Sequence, residues 1–272
     1  MRQIKPLLLI SFLLVGLNTI ALNTMVRAET TLRFDQEVEI TEIELAGIGQ
    51  RGDFVASDGK VLKISALLIP NSNDCQRLQP VCSLVEEIET HLATHYLGKK
   101  VFLDSSTAKR DRYDRLHVHL RDDNGIWLQK KLLELGYARV KTTNTEQSAL
   151  AELLKIEAAA RSQNKGIWAL KAFSPLSTNK LKEKMDRFQI VEGTILDTAN
   201  VRGTVYLNFG SNWREDFTIK LTSDARHGFP DKGKGLLDLK GQQVRIRGWL
   251  FWENGPMISL YNPGQLEILT VD

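Results

Sequence analysis

Beyond residue 28 the apolar positions alternate first at strand spacing, then at helical spacing, then at strand spacing again. "QEVEITEIEL" sets Val38, Ile40 and Ile43 between charges. "GDFVASDGKVLKISALLI" holds Asp58-Gly59 between two apolar runs, the pattern of a tight hairpin. A loop rich in Asn and Pro follows. "VCSLVEEIETHLATHYLG" then places Leu84, Ile88 and Leu92 four apart with Gly98 as a stop, which predicts an amphipathic helix. "KKVFLDS" and "DRLHVHLRDD" read as strands, "GIWLQKKLLELG" as a short helix closed by Gly136, and "ARVKTT" as extended chain. "EQSALAELLKIEAAARSQNKG" is the longest helical stretch. "AFSPLSTNKLKEKMDR", with its Ser, Pro and lysines, reads as a linker over 173–187. From Phe188 onward nearly all is strand: "FQIVEGTILD", "GTVYLNFG", "EDFTIKL", "QQVRIRGWLFW", "MISLY" and "QLEILTV". Five or six short strands in that span fit a second small barrel over 188–272.

The first 28 residues follow another pattern. Arg2 and Lys5 precede an apolar run, and Val26 and Ala28 offer a small-x-small cleavage site. A secretory signal peptide over 1–28 is expected, with the mature chain periplasmic or secreted. The competing reading is a membrane anchor through residues 6–22, but the run is short for a span and Asn18 and Thr19 interrupt it. The leader also changes the charge picture. The chain has 36 Lys+Arg against 33 Asp+Glu; without Arg2, Lys5 and Arg27 it has 33 of each. A neutral mature chain argues against a strong global attraction to polyanions. The two cysteines, Cys75 and Cys82, stand seven residues apart on a chain expected to be exported, and a disulfide between them is predicted. Zinc would need two more ligands, and none is near in sequence.

Three passages carry a likeness: "DRYDRLHVHL", "LLELGYARV" and "AELLKIEAAARSQNKGIW". In this order they resemble the staphylococcal nuclease (thermonuclease) family, over roughly residues 36–172. The resemblance implies a mainly β fold with α: an OB-type five-stranded barrel plus three helices over 29–172, followed by a second small OB-like β-barrel. "VYLNFG" and "RGWLFWENGPMI" make that second part look like the OB-like tail of some exported proteobacterial members. The family's chemistry is calcium-dependent phosphodiester hydrolysis, with carboxylates on the metal, a glutamate assisting water, and two arginines on the phosphate.

Carried over residue by residue, the likeness is incomplete. Arg115 matches one arginine, with Asp114 where the family has glycine. Aligning "LKISALLIPN" on Pro70 puts Lys63 at the other arginine, Ala66 at a glycine, Leu68 at a metal aspartate and Asn71 at the glutamate. Lys63 keeps the charge but not the guanidinium fork. Asn71 cannot take a proton from water at neutral pH. Asp53 matches a further metal aspartate, with Arg51 where another acid often stands. The expected function is therefore a non-catalytic binding or scaffold protein of the cell envelope, with a degenerate nuclease site. Its partner would be a protein, glycan or nucleic acid. The alternative is a calcium-dependent nuclease acting on DNA or RNA with a reduced or rearranged site. No cofactor is expected, and calcium only under that alternative.

Three further features are candidates. Arg115, His117 and His119 share one face of a strand whose other face, Leu116, Val118 and Leu120, belongs in the core. The histidines suit either a wet face or a His-x-His metal pair, and His91 and His95 at helical spacing form another such pair. In the second barrel, Arg245, Arg247 and Trp249 form a stripe opposite Val244, Ile246 and Gly248. That stripe suits a ligand-binding surface or an ordinary wet face. Nine Lys+Arg against ten Asp+Glu from Phe188 on does not favour a polyanion there.

Overall fold

The computed structural model describes residues 40–49, 52–104, 108–142, 147–212 and 214–269. The expected leader, the cleavage pattern and any anchor through residues 6–22 lie outside them, as do Arg51 and Trp213. No helix of the described residues is long and apolar enough to cross a membrane.

The first half is strand-led. β1 (Ile40–Ile48), β2 (Phe54–Ala56) and β3 (Val61–Ile64) run antiparallel, with the predicted Asp58-Gly59 turn between β2 and β3. β4 (Leu67–Leu68) leads into α1 (Ser72–Arg77) and α2 (Cys82–Tyr96). The short α1 lies in what reads as a loop. It exists because Asn71 caps it: the Asn71 side chain accepts from Asn73 N–H, and Asn71 N–H donates to Asp74. The Cys75–Cys82 disulfide is present and ties α1 to α2. α2 buries Leu84, Ile88 and Leu92, the stripe read from the sequence. Then come β5 (Lys100–Asp104), β6 (Lys109–Arg110), β7 (Leu116–Val118), β8 (Leu120–Arg121), α3 (Leu128–Glu134), β9 (Arg139–Val140) and α4 (Gln147–Ser162).

Seven of these strands form one sheet in the order β6-β7-β3-β2-β1-β5-β8, and β4 pairs with β9 apart from it. Leu45, Phe54, Leu62, Val118 and Leu120 of the strands and Ile88, Leu92 and Leu132 of the helices are all buried. Two glycines of the motif passages lock the helical end together. Gly136, at φ 72°, follows α3; a Cβ there would lie 2.3 Å from the Lys165 carbonyl oxygen. A Cβ on Gly166 would lie 2.4 Å from the Gly136 carbonyl oxygen, so neither position takes a side chain.

The second half contains β10 (Leu176–Ser177), β11 (Arg187–Thr194), β12 (Asp197–Val201), β13 (Thr204–Asn208), β14 (Thr218–Leu221), β15 (Gln243–Trp252), β16 (Pro256–Ser259) and β17 (Leu266–Ile268). They run β10-β11-β15-β16-β14-β13-β12, with β17 also on β15. Val191, Val205, Leu207, Phe217, Ile246 and Ile258 fill their core. The mainly β fold with helices is as expected. Both sheets, however, are open paths rather than closed barrels.

Two expectations are corrected here. Residues 173–187 are not a free linker. Phe173 is buried, β10 pairs in parallel with Val191 and Glu192, and Leu181 lies in the second core. The apolar residues at 173, 176 and 181, spread among polar ones, hide this. Nor is the Arg245–Arg247–Trp249 stripe uniformly wet: Trp249 is exposed, Arg245 is half-buried and Arg247 is buried. The alternation along β15 is as read, with Val244 and Ile246 buried on the other side, but the first half covers Arg247 completely. Its guanidinium donates to Glu157 at 2.8 Å and to the Val140 carbonyl at 3.3 Å, and to Glu267 at 2.6 Å. Glu157, wholly buried on α4, also accepts from Val140 N–H at 2.7 Å and sits 3.5 Å from Arg161. Arg245 joins Glu192 at 2.7 Å and Glu267 at 3.4 Å. Three arginines thus face three glutamates along a seam. Asn262 extends it by donating to the Thr142 carbonyl at 3.0 Å, and Arg139 by donating to the Phe188 carbonyl at 3.0 Å.

Candidate functional site

Strand register brings the family-matched residues together. Asp53 immediately precedes β2, whose Phe54 pairs with Leu62, so Asp53 falls beside Lys63 of β3. β3 pairs in parallel with β7, Lys63 against His117, which brings in the turn just before β7. That turn is "DRYDR". Asp111 shapes it: its Oδ1 accepts from the backbone N–H of Tyr113 at 2.9 Å and of Arg115 at 3.1 Å, an Asx-turn.

Two positions where the family pattern has glycine keep a glycine-like backbone. Asp114 has φ 59° and Ala66 has φ 62°. Ala66 takes this conformation at the turn between β3 and β4.

The charges then interlock. Asp53, buried, takes Lys63 Nζ on Oδ1 at 3.0 Å and Arg115 Nη1 on Oδ2 at 3.1 Å. Arg115 also grips Asp111 Oδ2 through Nε at 2.9 Å and Nη2 at 2.7 Å, and His117 Nε2 lies 3.2 Å from the same oxygen. The Arg115 guanidinium holds the Asp111 carboxyl well below the usual carboxylate range, and Asp111 in turn raises Arg115. Tyr113, exposed, has the guanidinia of Arg112 and Arg115 at 4.8 and 5.1 Å from its ring centre.

Lys141, just after β9, is a third cation that the sequence reading missed. Its backbone N–H donates to the Ala66 carbonyl at 2.7 Å. Burial, then the charges of Lys63 and Arg115, lower its pKa. The local signal was there: Lys141 directly follows Val140, the last residue of the passage "LLELGYARV".

The site is rich in cations and poor in metal ligands. Calcium takes six to eight oxygen ligands, several of them carboxylate. Here both Asp53 oxygens are occupied by protein cations. Leu68 brings no oxygen, and the Asn71 side chain is spent on capping α1. Among the described residues no group of three or more His, Cys, Asp or Glu is placed to hold a metal ion. The donor set does not fit calcium. What it fits is an oxyanion approaching Lys63, Arg115 and Lys141.

The histidines are accounted for separately. His117 faces Asp111, His119 lies 3.1 Å from Gln129 Nε2 and tilts against Trp127, and His91 and His95 stack at 4.1 Å. Of the second-half candidates, Arg245 and Arg247 are committed to the seam, whereas Trp249 is 57% exposed at the mouth of a cleft between the halves.

No curated protein matches the chain. Residues 70–170 match the family model described as staphylococcal nuclease homologue, a span that includes the Asp111–Arg115 turn, both locked glycines and Glu157 but begins after Asp53 and Lys63; the first half therefore carries a staphylococcal nuclease-like domain over those residues.

Proposed function

We propose that the protein is an exported, non-catalytic binding protein that uses a nuclease-like fold, working in the cell envelope or outside it. The observation that carries this reading is Asp53 clamped between Lys63 and Arg115, with Leu68 and Asn71 at the two positions where the family's chemistry calls for acids. A carboxylate already paired with two cations is a weak ligand for a divalent metal, and an asparagine cannot deprotonate water. Loss of both would lower hydrolysis by several orders of magnitude. The Cys75–Cys82 disulfide supports an oxidising compartment, in keeping with the leader pattern in the sequence.

Arg115 and Asp53 also belong to the competing reading, a calcium-dependent nuclease with a reduced site. Purified protein incubated with single- and double-stranded DNA in millimolar calcium distinguishes the two. No calcium-stimulated cleavage is expected. Robust cleavage that Arg115→Ala abolishes would overturn the proposal.

A further inference from the structure

The cleft beside Trp249 is separate from the Lys63–Arg115 cluster. It has a volume of about 220 Å³ and lies between Pro70–Leu78 of the first half and Lys184–Gln189 with Trp249 of the second. Its charged lining is Arg77, Arg139, Lys184 and Arg187 against Asp74 and Asp186, an excess of two positive charges. Arg139 forms part of the floor. Its guanidinium lies 4.9 Å from the Phe173 ring centre and 5.2 Å from that of Phe188. One Nη donates to the Phe188 carbonyl, but the buried Nε has no hydrogen-bond partner. Burial also pushes the Arg139 pKa down to about 10, so an anion brought beside it gains from a poorly hydrated cation.

We propose that this cleft binds a small oxyanion carried on a ring, no larger than a nucleoside monophosphate. The anion would sit among Arg139, Lys184 and Arg187, and the ring would lie against the exposed indole of Trp249. Three features support this. The cationic excess calls for an anionic ligand. An exposed tryptophan at the mouth of a cationic cleft stacks on a base or a sugar ring. The far wall is held in place, because Asn71 caps α1 and the disulfide ties it to α2. Neither half makes this site alone. It is also independent of the reading that the Lys63–Arg115 cluster is non-catalytic, since no residue is shared.

The test is calorimetric titration of the full chain with a nucleoside 5′-monophosphate and, separately, with a hexose phosphate; these arms distinguish a base from a sugar ring. Saturable binding of either is expected, weakened about tenfold or more by Trp249→Ala and also weakened by Lys184→Ala, with Arg115→Ala unchanged. Trp249 is exposed and Lys184 lies in a surface turn, so both variants should retain the wild-type unfolding midpoint. Absence of saturable binding of both esters overturns the proposal. So does binding that Arg115→Ala abolishes while Trp249→Ala and Lys184→Ala leave it intact.

Discussion

The molecule contains two ion clusters of similar composition and opposite character. In the first half, Asp53 and Asp111 meet Lys63 and Arg115, with Lys141 near enough to feel both of those cations. At the seam, Glu157, Glu192 and Glu267 meet Arg161, Arg245 and Arg247. The seam is balanced, three against three, and its central pair is wholly buried. The Asp53 cluster has a surplus cation and remains partly open. A charge-balanced network with a wholly buried central pair can only hold structure, whereas one with a surplus cation can receive an anionic ligand. Burial and charge count, rather than residue type, assign the roles.

The sharpest way to break this comparison is to remove one arginine from each cluster. Arg247→Met leaves Glu157 buried with only the Val140 N–H and Arg161 at 3.5 Å, and about 3–5 kcal/mol of stability should be lost. Denaturant titration measures it, and adding Glu157→Gln should restore a large part. A loss below about 1 kcal/mol would show that the seam is ornamental. Arg115→Met should cost less, about 1–2 kcal/mol, because Asp53 keeps Lys63 and water reaches the site.

Salt sharpens the contrast further. At about 1 M salt the Debye length is roughly 3 Å. The Arg115→Met penalty should shrink by about half there, and the Arg247→Met penalty should barely move.

The smallest effect is in acid. The folded pKa of Asp111 lies below its ordinary 3.8, chiefly through Arg115, so its contribution is complete above that value and disappears as the pH falls below it. Asp111→Asn should therefore lose less stability than wild type between about pH 5 and about pH 2, as followed by thermal melts. Parallel pH curves would remove Asp111 from the account.

Much of the first half was legible because its rules are local. The Asp58-Gly59 hairpin, the Leu84–Ile88–Leu92 stripe and the glycine stops depend on near neighbours in sequence. Arg115 was legible through its motif. Arg247 was not, because β15 alternates in the same way whether water or another half of the chain covers its polar side. A clue lay ninety residues upstream. On α4 the buried positions run Leu150, Leu153, Glu157, Ala160, which places a glutamate squarely in an apolar stripe. Such a charge needs a partner, and the only question was where it would come from. The packing of 173–187 was illegible for a related reason: three scattered apolar residues look like a spacer until the surface they dock against exists. Asn71 reads in sequence as a failed catalytic glutamate; in the fold it is a working helix cap.

The seam also sets an order of events. Glu157 is synthesised ninety residues before Arg247. At about 5–20 residues per second, that is an interval of roughly 5–18 s. Throughout it, the newborn first half holds a carboxylate that its own core cannot bury without penalty. A chain that ends before Arg247 leaves that carboxylate buried with only Arg161 and the Val140 N–H, so it should be weakened at its centre rather than merely shortened at its end.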